Sequence, residues 1–196
     1  MVLAQPEIRA EVARGRILFD PPLRDWQWGE ASVDLSLGFS FTKLRRLPGI
    51  KVSAAAGLGE IGQVRFWDTM ELAEEDALGS RMAFSLAPGE FILCLTHESV
   101  AVPRDLIGHV EGRSSYARLG LSVHQTAPWI QPGWSGPIVL EIMNNGPLTV
   151  ELTPLVDRPC QVAFFQLTSE LPQRIAYGSK AGDGFQNQRH PIRPVE

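Results

Sequence analysis

Short apolar segments separated by proline and glycine recur along most of this chain, and they limit the folds that it can adopt. The clearest is IVLEIM at residues 138–143, in which alternate residues fall on opposite faces of a β-strand. Similar segments occupy residues 32–37, 91–96, 100–103, 106–110, 121–124, 148–152 and 162–167. Many short strands with this punctuation predict an all-β barrel, sandwich or prism.

The first 15 residues carry a different pattern. Pro6 suits the first position of a helix, and Gly15 suits the position after its end. Ile8 and Val12, four residues apart, share one helical face. We therefore predict a short N-terminal helix packed on the sheet. The 196 residues suffice for one domain with its own core, so we expect a single domain over residues 1–196.

Three later segments depart from the strand pattern. Residues 48–62 are rich in glycine and alanine, which predicts a loop or an insertion. Residues 66–78 combine apolar side chains with acids and predict either a short helix or an irregular excursion. From about residue 174 the chain is rich in glycine but keeps Tyr177 and several side-chain amides. This composition predicts a mobile tail that is either disordered or able to order over a ligand.

Composition argues against several classes of protein. The net charge is −4 at pH 7, so the chain lacks the basic balance of proteins that bind nucleic-acid polymers. Cys94 and Cys160 each lie in an apolar run, and we expect both to be buried. Polar residues interrupt the N-terminus at residues 5–7, and no stretch is long enough to span a bilayer. We therefore expect a cytoplasmic protein with no membrane partner.

Glu141 is a carboxylate inside the apolar strand predicted at residues 138–143. Burial of a charge without a partner costs several kcal/mol or raises the pKa of the group. Such a glutamate is therefore either paired for structural reasons or used to carry protons.

A polar cluster precedes this strand, in the sequence GRSSYAR at residues 112–118. It combines a flexible backbone with two arginines and two serines, and arginine offers a planar fork of donors that suits phosphate oxygens. The structural alternative is surface ion pairing for the arginines and turn formation for the serines.

Three blocks of the sequence, GRSSYARLGL, PGWSG and IVLEIMNNG, closely resemble the dCTP deaminases of the trimeric dUTPase superfamily. The blocks GRILFDPP, GEASVDLSLGFSF and LAPGEFILCLTHESVAVP, with residues 177–188, extend the resemblance over nearly the whole chain. Residues 47–81 are the least similar. The resemblance implies a mainly β, dUTPase-like fold, a β-prism or distorted jelly-roll whose closing tail covers about residues 174–196. It also implies a homotrimer with sites between subunits.

The resemblance makes Glu141 the general acid/base that replaces the cytosine amino group by oxygen, with its pKa lifted toward neutrality by the apolar strand. Ser114 and Arg118 match residues beside the attacking water. Backbone groups of Val139 and Leu140 would face the base edge. The chain has no Cys-x-x-Cys pair to complete the ligand set of a zinc-dependent deaminase, so we expect deamination without zinc.

Further positions match the family's contacts to the nucleotide. They are Arg113 and Ser115 for the phosphates, the backbone of Thr126 and Ala127 for the pyrimidine, Gln161, and the tail residues Tyr177 and Gln188. Mg²⁺ would bind through the substrate phosphates. His124, between strand residues, is expected to be a packed core group rather than a base.

Two departures from the family bear on the substrate. Residues 128–131 read Pro-Trp-Ile-Gln where family members read His-Arg-Ile-Asp. The family's aspartate faces the sugar 3′-hydroxyl, whereas Gln131 can hydrogen-bond there but cannot act as a base. In the tail, Gly184 replaces a lysine that binds phosphate, and Lys180 is a nearby substitute.

The leading hypothesis is the conversion of dCTP and water to dUTP and ammonia. Loss of the aspartate at Gln131 argues against a second, pyrophosphatase step that would give dUMP. The two departures keep dCMP or a modified cytosine nucleotide as alternative substrates. A different class of function also stays open, a regulatory trimer that binds a nucleotide without turnover.

Overall fold

The computed structural model of the chain describes residues 1–45, 48–49, 51, 53, 66–179, 183 and 185–192. Its helices are α1 (Gln5–Ala13), α2 (Ser114–Ala117) and two 3₁₀ turns at Asp25–Gln27 and Gln173–Ile175. The strands are β1 (Leu18–Asp20), β2 (Val33–Leu35), β3 (Leu37–Leu44), β4 (Trp67–Glu71), β5 (Phe84–Leu86), β6 (Phe91–Ala101), β7 (Leu106–Gly112), β8 (Leu121–Ser122), β9 (Trp129–Ile130), β10 (Ser135–Asn144), β11 (Val150–Leu152) and β12 (Cys160–Gln166). Lys180, Gly184 and most of the loop predicted at 48–62 lie outside the described residues.

The strands form antiparallel sheets that confirm the predicted mainly β fold. The largest has the order β4-β3-β6-β10-β8, with β1 also paired to β6. A second sheet has the order β2-β12-β7-β9, and β5 pairs with β11. Buried side chains from all three sheets, such as Phe41, Leu86 and Phe164, belong to one hydrophobic cluster. The described residues therefore share a single core.

Strand β10 follows the predicted alternation. Ile138, Leu140 and Ile142 are buried in the core, while Val139 and Glu141 on the other face are partly exposed. Each apolar side chain of this size stabilises the fold by about 1.5–3 kcal/mol when it is fully buried. Because a slip of one residue would exchange the two faces, burial of this set fixes the direction in which Glu141 points.

The N-terminal helix and the burial of both cysteines are also confirmed. Helix α1 has Pro6 in its first turn, buries Ile8 completely and is followed by Gly15 at φ 69°. Cys94 and Cys160 are fully buried and unpaired, and burial raises the pKa of both thiols. No helix among the described residues has both the length and the apolar character that a membrane span requires.

The structure differs from the sequence-based expectation at residues 66–78. Strand β4 occupies residues 67–71 of this segment and pairs with β3, so of the two predicted alternatives the short helix is wrong, and the irregular excursion does not describe residues 67–71. Only Trp67 of β4 is buried, and the other four residues are exposed. A short edge strand with one buried side chain carries almost no alternation, which is why its sequence did not identify it.

The described part of the tail packs against the start of β10. The Asn187 N–H donates to the Ser135 carbonyl at 2.8 Å, and Gln186 Nε2 donates to the Gly133 carbonyl at 2.9 Å. A Cβ on Gly136 would lie 2.8 Å from the Asn187 nitrogen, so this approach requires glycine. The tail thus lies six strand residues from Glu141, about 20 Å along β10.

Candidate active site

The Glu141 side chain is held by the segment that follows β8. Its Oε2 accepts a hydrogen bond from the Gln125 N–H at 2.9 Å. The Glu141 N–H donates to the Val123 carbonyl at 3.0 Å, and Gln125 Nε2 donates to the Glu141 carbonyl at 3.0 Å. The partly buried carboxylate therefore has a fixed position on the outer face of β10.

This arrangement brings several predicted residues together. Thr126 and Ala127 follow Gln125 directly, and both are exposed beside Glu141. In a β-strand, the N–H and C=O groups of residues two positions apart point in the same direction. The Glu141 N–H points to the Val123 carbonyl, so the N–H and C=O groups of Val139 also point toward the side of β10 on which Val123 lies. The Glu141 carboxylate and the exposed residues Thr126 and Ala127 are therefore linked through Gln125.

Ser114, Ser115 and Arg118 lie elsewhere in the chain. All three side chains are exposed, and within the described residues none forms a hydrogen bond or an ion pair. The main chain after α2 packs on the turn beyond β10, where the Asn145 N–H donates to the Gly120 carbonyl at 2.8 Å. Between described residues no hydrogen bond or ion pair links Ser114 or Arg118 to Glu141. In a single chain these side chains are therefore not in direct polar contact with the carboxylate.

The contacts of Arg113 are compatible with both interpretations of the sequence, structural ion pairing and phosphate binding. It precedes α2, and its N–H donates to the Pro159 carbonyl at 2.9 Å. Its Nη1 donates to the Arg158 carbonyl at 3.1 Å, and its Nε lies 3.1 Å from Asp34 Oδ2. The side chain thus has structural partners, yet its Nη2 has none among the described residues.

The family model described as "dCTP deaminase-like" matches residues 2–167. The chain belongs to this family. It is therefore a hydrolase that acts on C–N bonds.

Two relatives of the dCTP deaminase-like family match almost the whole chain. The dCTP deaminase of Rhodospirillum rubrum is 40% identical over 192 residues, which cover 98% of this chain and 95% of the relative. The "dCTP deaminase, dUMP-forming" of Halobacterium salinarum is 38% identical over 192 residues, covering 97% and 92%.

A solved structure of the same family has the same fold. The crystal structure of 2′-deoxycytidine 5′-triphosphate deaminase from Agrobacterium tumefaciens superposes with a TM-score of 0.62 at 25% identity. The match covers 83% of this chain and 47% of that one, so this chain spans less than half of its length.

Gln161, which matches a nucleotide-facing glutamine of the dCTP deaminase-like family, also supports the 112–118 segment. Its Nε2 donates to the Gly112 carbonyl at 3.3 Å, and its Oε1 accepts from the Ser32 hydroxyl at 2.7 Å. In this structure Gln161 therefore fixes the main chain directly before Arg113.

The residues that depart from the family form part of an exposed surface. Gln131 is exposed at the end of β9. Trp129 is 50% exposed, and its ring centroid lies 4.5 Å from that of His109. His124 lies nearby, with Nε2 3.5 Å from Glu111 Oε2 and a buried Nδ1 without a hydrogen-bond partner. His124 is only partly buried, so it is not the packed core group that we expected.

The tail residues that match the family are near β10 but not near Glu141. The Tyr177 ring centroid lies 5.2 Å from that of Trp134, and burial raises the pKa of its hydroxyl. Gln188 has a buried Nε2 without a partner among the described residues. Both belong to the tail that packs on the start of the strand, so one chain does not bring them to its own carboxylate.

Sequence reasoning missed two residues at this site. Gln125 binds Glu141 through its main-chain N–H, a contact that any residue except proline can make, so no side-chain pattern announces it. Asp34 lies in the alternating segment 32–37, and its side chain is 14% exposed and contacts two arginines. An aspartate inside an alternating strand was the available signal.

Proposed function

We propose that this enzyme deaminates dCTP to dUTP and ammonia, with Glu141 as the general acid/base. The observation that carries the proposal is the Glu141 carboxylate, fixed by the Gln125 N–H on an exposed strand face beside Thr126 and Ala127. The family match and the relatives named dCTP deaminase support the substrate class.

The proposed steps balance with one carboxylate. Glu141 removes a proton from water as the water oxygen bonds to C4 of cytosine, and it delivers this proton to ring N3. It then takes the proton of the new hydroxyl and gives it to the amino nitrogen. The C4–N4 bond breaks, ammonia leaves, and the uracil ring keeps the proton on N3. Because Gln125 occupies Oε2, Oε1 is the oxygen that faces the water.

We infer that the remaining catalytic residues come from a second copy in a homotrimer. Ser114 and Arg118 are exposed and have no partner among the described residues, while Glu141 is about 20 Å from its own tail. A guanidinium from a neighbouring subunit would lie beside Glu141 and stabilise the negative charge that develops during attack. The Ser114 hydroxyl would orient the water.

Phosphate binding in this proposal uses Arg113 and Ser115, with Lys180 as a further cation. Among the described residues no group of three or more His, Cys, Asp or Glu side chains is placed to hold a metal ion. A Mg²⁺ ion would therefore be bound through the substrate phosphates and water, and would neutralise phosphate charge there. Tyr177 and Gln188 of the tail would close over the nucleotide, and Gln161 would face it.

Gln131 is the observation that favours a narrower second candidate. It offers an amide where the family has a carboxylate, and its exposed position at the end of β9 leaves it available to a sugar hydroxyl. Deamination of dCMP or of a modified cytosine nucleotide fits this change. An additional dUMP-forming step is disfavoured by the amide, although a relative from Halobacterium salinarum carries that name.

A substrate panel tests these proposals. The protein is incubated with dCTP, dCMP, CTP and 5-substituted deoxycytidine nucleotides while ammonia, pyrophosphate and base absorbance are followed. We expect ammonia without pyrophosphate from dCTP. Pyrophosphate release would contradict the role given to Gln131, and tight binding without product would favour the regulatory trimer.

A further inference from the structure

Asp34 lies next to the segment that carries the proposed phosphate ligands. It is paired across strands with Gln161 of β12, which is in turn paired with Glu111 of β7. Arg113 follows Glu111 by two residues, which brings its side chain back to Asp34. The Asp34 side chain is 14% exposed, so its contacts are sheltered from most of the solvent.

One carboxylate oxygen contacts two arginines. Asp34 Oδ2 lies 3.1 Å from Arg113 Nε and 3.4 Å from Arg158 Nη1. Arg158 is itself fixed, because Nη1 donates to the Trp26 carbonyl at 3.0 Å and the guanidinium lies 4.4 Å from the Trp26 ring. The Arg158 carbonyl accepts a hydrogen bond from Arg113 Nη1 at 3.1 Å. Arg113 is therefore held at two nitrogens by a rigid neighbour and a carboxylate.

The charges of this cluster favour an anion. Two guanidinium groups and one carboxylate leave a net positive charge, whereas a single pair would cancel. Burial raises the pKa of Asp34, and the charges of Arg113 and Arg158 oppose that shift. The Arg113 Nη2 has no partner among the described residues, so it is the nitrogen available to a ligand.

We propose that Asp34 is a positioning residue for phosphate binding, which orients the Arg113 guanidinium so that its Nη2 edge meets the substrate phosphates. The inference rests on the proposed function, in which Arg113 binds phosphate. Its physical basis is preorganisation, since the rotamer entropy of Arg113 is lost on folding rather than on binding. The main chain of the segment is already fixed by Pro159 and Gln161, so the side-chain direction is what Asp34 adds.

Calorimetric titration with inorganic triphosphate tests the proposal, because it measures phosphate binding without requiring turnover. The proteins are the wild type, Asp34→Asn, Arg113→Gln and the double variant. We expect Asp34→Asn to weaken binding about tenfold and Arg113→Gln to weaken it further. The double variant should equal Arg113→Gln, since Asp34 acts through Arg113. A purely structural role would lower the melting temperature without this non-additivity.

Asp157→Asn is the matched control. It makes the same charge change one residue from Arg158, but Asp157 contacts the Tyr116 hydroxyl and the Thr153 N–H rather than Arg113. We expect its triphosphate affinity to equal that of the wild type. If Asp34→Asn does not fold, Asp34→Glu takes its place, because it keeps the charge and displaces it by one methylene.

Three results would overturn the inference: no triphosphate binding by the wild type, additive effects of the two substitutions, or equal effects of Asp34→Asn and Asp157→Asn. Ammonia release from dCTP is measured on the same wild-type sample. Its absence together with a non-additive binding cycle would refute the proposed deamination and leave the role of Asp34 intact.

Discussion

The two parts of the proposed active site, around Glu141 and around Arg118, differ in the support that the chain gives them. Around Glu141, the chain supplies its own support, because the Gln125 N–H holds the carboxylate and the Val123 carbonyl holds the strand. Around Arg118, the same chain leaves the guanidinium and the preceding serines exposed and without described partners. In the proposed mechanism, the group that moves protons is fixed within one subunit, and the groups that meet it come from a neighbouring subunit.

The largest effect is expected from Glu141→Gln, which removes the proton carrier and keeps the shape of the side chain. We expect turnover of dCTP to fall by about 10³-fold or more, with melting temperature and nucleotide affinity nearly unchanged. Ammonia release and thermal unfolding measure the two halves of this prediction.

Glu151→Gln, an exposed glutamate on β11, is the control and should keep full activity. A normal rate in Glu141→Gln would remove this residue from the mechanism.

The second prediction tests whether Arg118 and Glu141 of one active site come from different subunits. Arg118→Gln should lower turnover about 10²-fold, because it removes charge stabilisation at the carboxylate. An equal mixture of Arg118→Gln and Glu141→Gln subunits, unfolded and refolded together, should regain about a quarter of wild-type activity if each site joins two chains at random.

Each variant refolded alone provides the baseline. No recovery in the mixture would mean that both residues act within one chain, and the proposed division of the site between two subunits would be wrong.

The third prediction concerns the tail. Truncation after Gly178 keeps the Tyr177 N–H bond to the Pro132 carbonyl but removes the contacts of Gln186 and Asn187 with β10. We expect the melting temperature to stay close to that of the full chain while KM for dCTP rises about tenfold, since closure over the ligand is lost.

Steady-state kinetics with dCTP measure this effect. An unchanged KM would show that the tail packs on β10 for structural reasons alone.

The smallest effect is expected at Asp105, which lies directly before β7 and forms an ion pair with Arg16, a residue between α1 and β1. Burial alone would raise the pKa of Asp105, but hydrogen bonds from Arg16 and Gln166 outweigh it and lower the pKa. A lowered pKa means that the stabilisation is present above the unfolded value, about 3.9, and is lost as the pH falls through the folded value.

Asp105→Asn should therefore cost about 0.5 kcal/mol at pH 7, a low figure because the Arg16 side chain is largely exposed. The difference from the wild type should shrink as the pH falls below the unfolded pKa of about 3.9 and through the lower folded pKa. Urea unfolding at pH 7 and at a series of lower pH values measures it, and a constant difference would exclude the ion pair as the cause.

Sequence patterns predicted the strands that bury one complete face and failed where pairing depends on distant residues. The two-residue period of β10 identified its buried face correctly. The sequence Asn-Asn-Gly at 144–146 is typical of a hairpin turn, but β11, which follows it, pairs with β5 rather than with β10. Buried Asn144 explains the difference, because its Nδ2 donates to the carbonyls of Leu86 and Leu148 and directs the chain away.

The candidate site likewise has features that the sequence predicted and features that it did not. The positions of Glu141, Thr126 and Ala127 relative to one another follow from motifs that lie close in sequence. The bond from Gln125 and the contact between Asp34 and Arg113 were not predictable, because the first uses a main-chain group and the second joins residues 79 positions apart. The roles that the family resemblance assigns to these residues stay predictions until the variants are measured.

The sequence by itself determined the strands that bury one complete face, such as β10, and which of their faces is buried. That information is local, because the period of hydrophobic residues is set by consecutive positions. Only the tertiary structure decided that Glu141 is supported within its chain and that Arg118 is not. Contacts between distant segments depend on loop closure and on how all the sheets pack around one core, and no local pattern contains them.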